Sequence, residues 1–190
     1  MTMTTSQATD FDLQPTLTGS RVIIRPIYAS DWEGMFAAAS DPKTWEQHPA
    51  ADRYMEDVFR DYFEAAIDSG SAFTFIHRET GQIIGSSRYF GLNPARSEIE
   101  IGWTFLSRPY WGGSYNLEIK QLMLEYAFRY VDTVVFWVGE DNARSRRAME
   151  KIGGVLRDGV FTRDFSGDDP YVVYEITATN WSAEFEVSRQ

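Results

Sequence analysis

The chain has 190 residues, 43% of them apolar, and a formal net charge of −10. That predicts one folded unit with a sizeable core and argues against nucleic acid phosphates or anionic membranes as partners. With no cysteine and only His48 and His77 as histidines, disulfides, thiolate ligands and a cysteine nucleophile are excluded, and no metal site is expected. The N-terminus lacks a basic n-region and an apolar run, and no stretch reaches bilayer length, so a cytoplasmic location is expected.

Residues 1–18 are polar and aperiodic and read as a loose N-terminal arm, with 19–182 as the folded domain and 183–190 as a C-terminal tail. Strand character begins at 21–27 (RVIIRPI), which is rich in β-branched residues. Ser30 and Glu33 have the spacing of a capping box opening a helix to about residue 40, before Pro42 blocks its continuation. From Met55 on, Val58, Phe59, Tyr62, Phe63, Ala66 and Ile67 recur at three- and four-residue steps, which predicts an amphipathic helix ending near Gly70. Strands follow over 72–78, 83–90 and 98–106 as an antiparallel meander, with Thr80-Gly81 turning the first into the second. A second amphipathic helix is expected over 115–130, with Ile119, Leu122, Met123 and Tyr126 on its apolar face and Ser114 as its cap.

The apolar run TVVFWV predicts a strand at 133–138 buried on both faces. A helix over 142–152 is closed by Gly153-Gly154, and strands at 155–165 and 171–177 finish the chain. The order combines a meander with one strand-helix-strand crossover. It predicts an α+β fold whose mixed, mostly antiparallel sheet has helices packed on both faces.

Between the meander and the second amphipathic helix, 108–118 read RPYWGGSYNLE. Gly112 and Gly113 permit a tight turn and close approach of a ligand to the backbone, Ser114 adds a hydroxyl, and the N-terminus of the following helix favours a phosphate. A glycine pair in this place is also an ordinary turn, so the functional reading needs a second motif. That motif is NARSRRAMEKIG at 142–153, where Arg144, Arg146, Arg147 and Lys151 stand against Glu150 alone. Such a patch suits a compact polyanion better than a duplex.

With these motifs in this order, the chain resembles the GNAT superfamily of N-acetyltransferases. Within it, the chain is similar to the branch that acetylates the N-terminal alanine or serine of ribosomal proteins. The resemblance spans about 17–181 and rests on Arg25-Pro26, the EIGW step at 100–103, the PYWGG turn, and the N-x-x-S-x-x-x-x-E-K-x-G pattern starting at Asn142. It implies the GNAT fold, acetyl-coenzyme A as acyl-donor cosubstrate, and a cleft where the strand ending near Leu106 splays from 133–138. The implied pantetheine arm pairs with backbone near Phe105 and Leu106. The pyrophosphate sits on the N–H groups of Gly112, Gly113, Ser114 and Tyr115, Asn142 bonds the pantetheine region, and Arg147 approaches the nucleotide phosphates.

Many members carry a tyrosine acid seven residues after the asparagine, where this chain has Met149; Ser114 and Pro109 also depart from the usual turn. The ribosomal branch uses a serine three residues after the asparagine instead, which implies Ser145 as the acid, one helical turn from Asn142. Glu100, directly or through water, is the expected base, with Glu98 as the alternative two residues earlier. The competing structural readings are a solvent-facing glutamate on an edge strand and a serine that bonds only to backbone. Trp45 and His48, between the two early helices, are expected to line the acceptor site.

The leading expectation is an enzyme moving an acetyl group directly to a primary amine, on a protein N-terminus or a small molecule. The alternative is a non-catalytic acyl-coenzyme A sensor or subunit, favoured by Met149 and Ser114 and opposed by Glu100, Asn142 and Ser145. A nucleotide-binding domain lacks the lysine that should follow the glycines. The amine acceptor and the acyl chain length are not written in the sequence, and a homodimer is compatible with it.

Overall fold

The computed structural model describes residues 11–163 and 169–181. Within them the chain forms two compact units, one built from 13–89 and 101–123, the other from 11–12, 90–100 and 124 onward.

The first unit holds β1 (Leu17–Thr18), β2 (Val22–Pro26), β3 (Ala72–His77), most of β4 (Ile83–Asn93), the end of β5 (Glu98–Leu106), and the helices α1 (Trp32–Ala39), α2 (Glu56–Asp68) and most of α3 (Ser114–Ala127). Its strands run in the order β1-β2-β3-β4-β5, and β1, β2, β3 and β4 pair antiparallel in turn. On α2 the three- and four-residue spacing buries Phe59, Tyr62, Phe63 and Ala66. These pack with Ile27, Met35, Trp45 and Phe105 in one apolar cluster. Gly85 of β4 is required by close packing, because a Cβ there would stand 2.2 Å from the Phe105 carbonyl oxygen.

The expected Ser30–Glu33 capping box is replaced by Asp31. Its carboxylate accepts the Tyr28 N–H at 2.9 Å, two N–H groups of Arg25 at 2.7 and 2.8 Å, and the Thr74 hydroxyl at 2.9 Å. Burial alone would raise the Asp31 pKa, but these bonds outweigh it and hold the carboxyl below its ordinary value. The decisive partners lie on β2 and β3, out of reach of a local spacing rule.

The second unit holds the start of β5, β6 (Thr133–Gly139), α4 (Ala143–Lys151), β7 (Val155–Leu156) and β8 (Tyr171–Thr177), with strand order β5-β6-β8-β7. β5 and β6 are parallel, with Glu98 opposite Thr133 and Glu100 opposite Val135, while β8 is antiparallel to both β6 and β7. The mixture of one parallel pair with antiparallel ladders is the expected α+β arrangement. Phe11 and Asp12 fall within the expected loose arm, yet Phe11 is buried and stacks on Tyr130 at 4.6 Å, and the Asp12 carbonyl accepts the Tyr126 hydroxyl at 3.0 Å. Farther along that arm, Leu17 and Thr18 pair with Ile24 and Ile23.

The expected strand at 155–165 is confined to Val155–Leu156, followed by a single bridge between Phe161 and Tyr171. Gly159, at φ +109°, breaks the ladder between them. The last two positions of that expectation, 164 and 165, lie outside the described residues.

Candidate active site

In the first unit, the site begins where β5 ends. The Ser107 N–H bonds the Ile84 carbonyl at 2.8 Å, Arg108–Tyr110 make one 3-10 turn, and the Trp111 indole N–H returns to the Leu106 carbonyl at 2.5 Å. This pins the loop so that Gly112 takes a left-handed conformation, φ +68°, and a Cβ there would meet no atom within 4 Å. Gly112, Gly113 and Ser114 are exposed, and α3 starts at Ser114 itself, so the serine is the first helical residue and not a cap preceding the helix. Exposed N–H groups at the start of a 14-residue helix, with open space before them, make a cradle that fits a phosphate. The Tyr115 hydroxyl lies 3.0 Å from His77 Nε2 and its ring stands edge-on to Tyr110, which fixes the first turn of the helix. Arg108 instead pairs with Asp41 at 2.6 Å.

Phe105 and Leu106 are buried. The Phe105 carbonyl oxygen packs against Gly85 of β4, and the Leu106 carbonyl accepts the Trp111 indole N–H. Two residues earlier, Trp103 has φ +51°, a strained value for a side chain of this size, and its carbonyl accepts the Tyr62 hydroxyl at 2.8 Å. A polar network surrounds this kink. Ser87 donates to the Gly102 carbonyl at 3.1 Å and lies 2.8 Å from the Thr104 hydroxyl, which also accepts from Lys120 Nζ at 2.9 Å. Lys120 is buried, and desolvation pushes its pKa down to about 7.

Of the expected acceptor residues, Trp45 is 2% exposed and its indole N–H bonds the Ala39 carbonyl, so it is chiefly core. His48 is half-buried and stands edge-on to Trp45. Two arginines, which sequence reasoning missed, border the same cluster: Arg53 over Tyr62 at 5.0 Å, and Arg88 over Trp103 at 4.3 Å and Tyr62 at 5.8 Å. Burial raises the Tyr62 pKa, while both arginines pull it down. Arg88 had a visible signal, a charge inside the otherwise apolar and small run of β4. Lys120 had one too, since it lies on the same helical face as Met123 and Ala127.

In the second unit, Asn142 is buried and caps α4, its Oδ1 accepting the Ser145 N–H at 3.1 Å. The bond at this helix start belongs to the Ser145 backbone; its hydroxyl bonds to none of the described residues. Arg146 is fixed on the Tyr174 hydroxyl and the Glu140 carbonyl, Arg147 is exposed, and Met149 is buried. Glu100 is neither exposed nor on an edge strand. It is 6% exposed and ion-paired with Arg163, whose guanidinium lies over Trp137 at 4.6 Å. Glu98 pairs with Arg157, which also holds Glu175 at 2.5 Å. Arg163 and Arg157 were not visible from sequence because each lies about sixty positions from its glutamate.

Among the described residues, no group of three or more His, Asp or Glu could hold a metal ion, and no helix is long and apolar enough to cross a membrane.

No curated protein matches the chain in sequence. Solved structures do match in fold. A GCN5-related N-acetyltransferase from Brucella melitensis has a TM-score of 0.80 at 19% identity, over 95% of this chain and 89% of that one. A GNAT-family acetyltransferase from Bacillus anthracis has a TM-score of 0.69 at 23% identity, over 86% and 98%. RimJ of Mycobacterium smegmatis, solved in complex with CoA-disulfide, has a TM-score of 0.67 at 16% identity, over 93% and 96%. The family model for the acetyltransferase (GNAT) domain matches residues 21–155, from the start of β2 through α4 to β7, and the chain therefore belongs to the GNAT acetyltransferase family.

Proposed function

We propose that the protein transfers an acetyl group from acetyl-coenzyme A directly to a primary amine, on a protein N-terminus or a small molecule. The observation that carries this reading is the exposed Gly112-Gly113 turn, left-handed and open at Gly112, at the N-terminus of α3. A pyrophosphate there accepts from the N–H groups of Gly112, Gly113, Ser114 and Tyr115 with the helix dipole behind them. Coenzyme A bound to the structurally similar RimJ supports the choice of ligand.

In the reaction the amine nitrogen attacks the thioester carbonyl, the C–N bond forms, the C–S bond breaks, and the products are the N-acetyl amine and coenzyme A thiol. The amine must lose a proton and the leaving thiolate must gain one. Ser145 donates to the thiolate; its hydroxyl on the first turn of α4, which bonds to none of the described residues and follows the Asn142 cap, supports this role. Asn142 also bonds the pantetheine region, and the exposed Arg147 meets the nucleotide phosphates. Glu100 takes the amine proton through water. Its pairing with Arg163 favours the ionised form and weakens it as a direct base. The same pairing favours the second reading, an acyl-coenzyme A sensor in which Glu100 is structural.

The two readings separate in one experiment. Acetyl-coenzyme A is titrated calorimetrically, then thiol release is followed with a panel of peptides and small amines. The enzyme reading predicts binding and acceptor-dependent thiol release that Ser145→Ala lowers by about 100-fold in kcat. Binding without release from any acceptor favours the sensor, and absence of binding removes both.

A further inference from the structure

The Gly112-Gly113 turn has little packed against it: a Cβ at Gly112 would meet nothing within 4 Å, and one at Gly113 only the Trp111 carbonyl oxygen at 3.9 Å. Glycine backbone has more freedom to lose than any other, so the N–H groups of such a turn converge on a ligand at an entropic cost unless its ends are held from outside.

His77 touches both ends. Tyr110, two residues before Gly112, and Tyr115, two after Gly113, pack edge-on with ring centroids 5.0 Å apart. The His77 ring lies against both, at 5.5 Å from Tyr110 and 5.7 Å from Tyr115. Its Nε2 is 3.0 Å from the Tyr115 hydroxyl and its Nδ1 2.8 Å from the Thr80 hydroxyl. Hydroxyls accept as well as donate, so the ring keeps both bonds in either tautomer. The Tyr110 hydroxyl adds a bond to Gln82 Oε1 at 3.3 Å.

The ring stands on a fixed support. His77 ends β3 opposite Val22, its N–H bonds the Gln82 carbonyl at 2.8 Å, and its carbonyl accepts the Gly81 N–H at 2.9 Å. One step along the same face of α3 from Tyr115, the Glu118 carboxylate accepts the N–H groups of Arg21 and Val22 at 2.8 and 3.4 Å. The start of α3 is thereby fastened to β2 and β3. Glu118 acts on the helix, whereas His77 reaches across the glycines to the loop before them.

We propose that His77 is a positioning residue for coenzyme A: through Tyr110 and Tyr115 it clamps the two ends of the glycine turn and holds the N–H groups of 112–115 in the arrangement that takes the pyrophosphate. This rests on the proposed binding of acetyl-coenzyme A at that turn and deepens it. A turn organised before the ligand arrives binds more tightly because less order has to be imposed on binding.

The test is a double-variant cycle read by calorimetric titration of coenzyme A, with the Tm of each unliganded protein as the check on folding. His77→Leu keeps bulk at the position and removes both bonds, and Tyr115→Phe removes one oxygen and leaves the ring. The expected result is a Kd about tenfold weaker for His77→Leu and about threefold weaker for Tyr115→Phe, with little further loss when the two are combined. His77→Gln, whose amide can bond the Tyr115 hydroxyl, should recover most of the affinity. Should His77→Leu fail to fold, Tyr115→Phe carries the test with the same threefold loss expected. Unchanged affinity in the single variants, losses that simply add in the double variant, or no recovery with His77→Gln overturns the inference while leaving the phosphate site standing. A lower Tm at unchanged affinity assigns His77 to stability alone and overturns it too. Failure of the parent protein to bind coenzyme A strikes the underlying reading, and the inference falls with it.

Discussion

Two junctions in this chain carry a strand into a helix, and they are built in opposite ways. At β5 into α3, Gly112 is left-handed, the residues at the helix start are exposed, and a Cβ would meet nothing. At β6 into α4, buried Asn142 accepts the Ser145 N–H with its own side chain and Arg146 is bonded to Tyr174 and Glu140, while past the far end of α4 Gly154 is packed so that a Cβ would stand 2.9 Å from the Met149 carbonyl oxygen. The first junction has exposed residues at its helix start; the second engages the Ser145 N–H with its own asparagine side chain. Glycine therefore has two meanings in one chain: a left-handed turn with open space at 112 and room for the backbone at 154.

The largest expected effect tests how far the second unit depends on internal pairing. Glu100→Gln leaves the Arg163 guanidinium buried without its carboxylate and is expected to cost about 3–5 kcal/mol of stability. Adding Arg163→Met should restore most of that in urea denaturation. If the double variant folds yet releases no thiol, Glu100 is the base; if it regains activity, the glutamate was structural.

The next effect lies on α3, behind the open junction. Lys120, with its pKa lowered to about 7, is neutral in the folded protein and charged in the unfolded chain between pH 7 and its ordinary value near 10.5. The unfolded state binds more protons in that window, so this group makes stability rise with pH there, with a slope approaching about 1.4 kcal/mol per pH unit. Lys120→Met should remove that rise and stabilise the protein most at pH 7 and below. A variant with the same pH profile as the parent would contradict the burial assigned to this side chain.

Asn142→Ala is the smaller probe of the closed junction. Loss of the cap is expected to cost about 1 kcal/mol, or roughly 2–4 °C in Tm for a chain of this size, while Asn142→Asp retains most of it. An unchanged Tm for the alanine variant would mean that α4 does not need the cap, and the contrast with α3 would lose its basis.

What could be read from the sequence follows the same division. Local requirements were legible: the glycine turn, the amphipathic spacing of α2, the asparagine before α4 and the β-branched run of β6. Groups whose partners are distant in sequence were not. Asp31 replaced the Ser30–Glu33 box because Arg25 and Thr74 hold it from two strands, and Glu100 acquired Arg163 from beyond β7. Trp103 was quoted as part of a motif, but its strained backbone depends on Tyr62 and on the ladder between β4 and β5, which spacing does not encode.

The central claim is that the open junction holds the phosphates of acetyl-coenzyme A, and the most direct test is calorimetric titration of the parent protein and Gly112→Val with coenzyme A. A valine there fills the open space and strains the backbone at φ +68°, so the account predicts clear binding to the parent, at least about tenfold weaker binding to the variant, and a Tm only slightly lower. Equal affinity in the two proteins, with the variant folded, would contradict it.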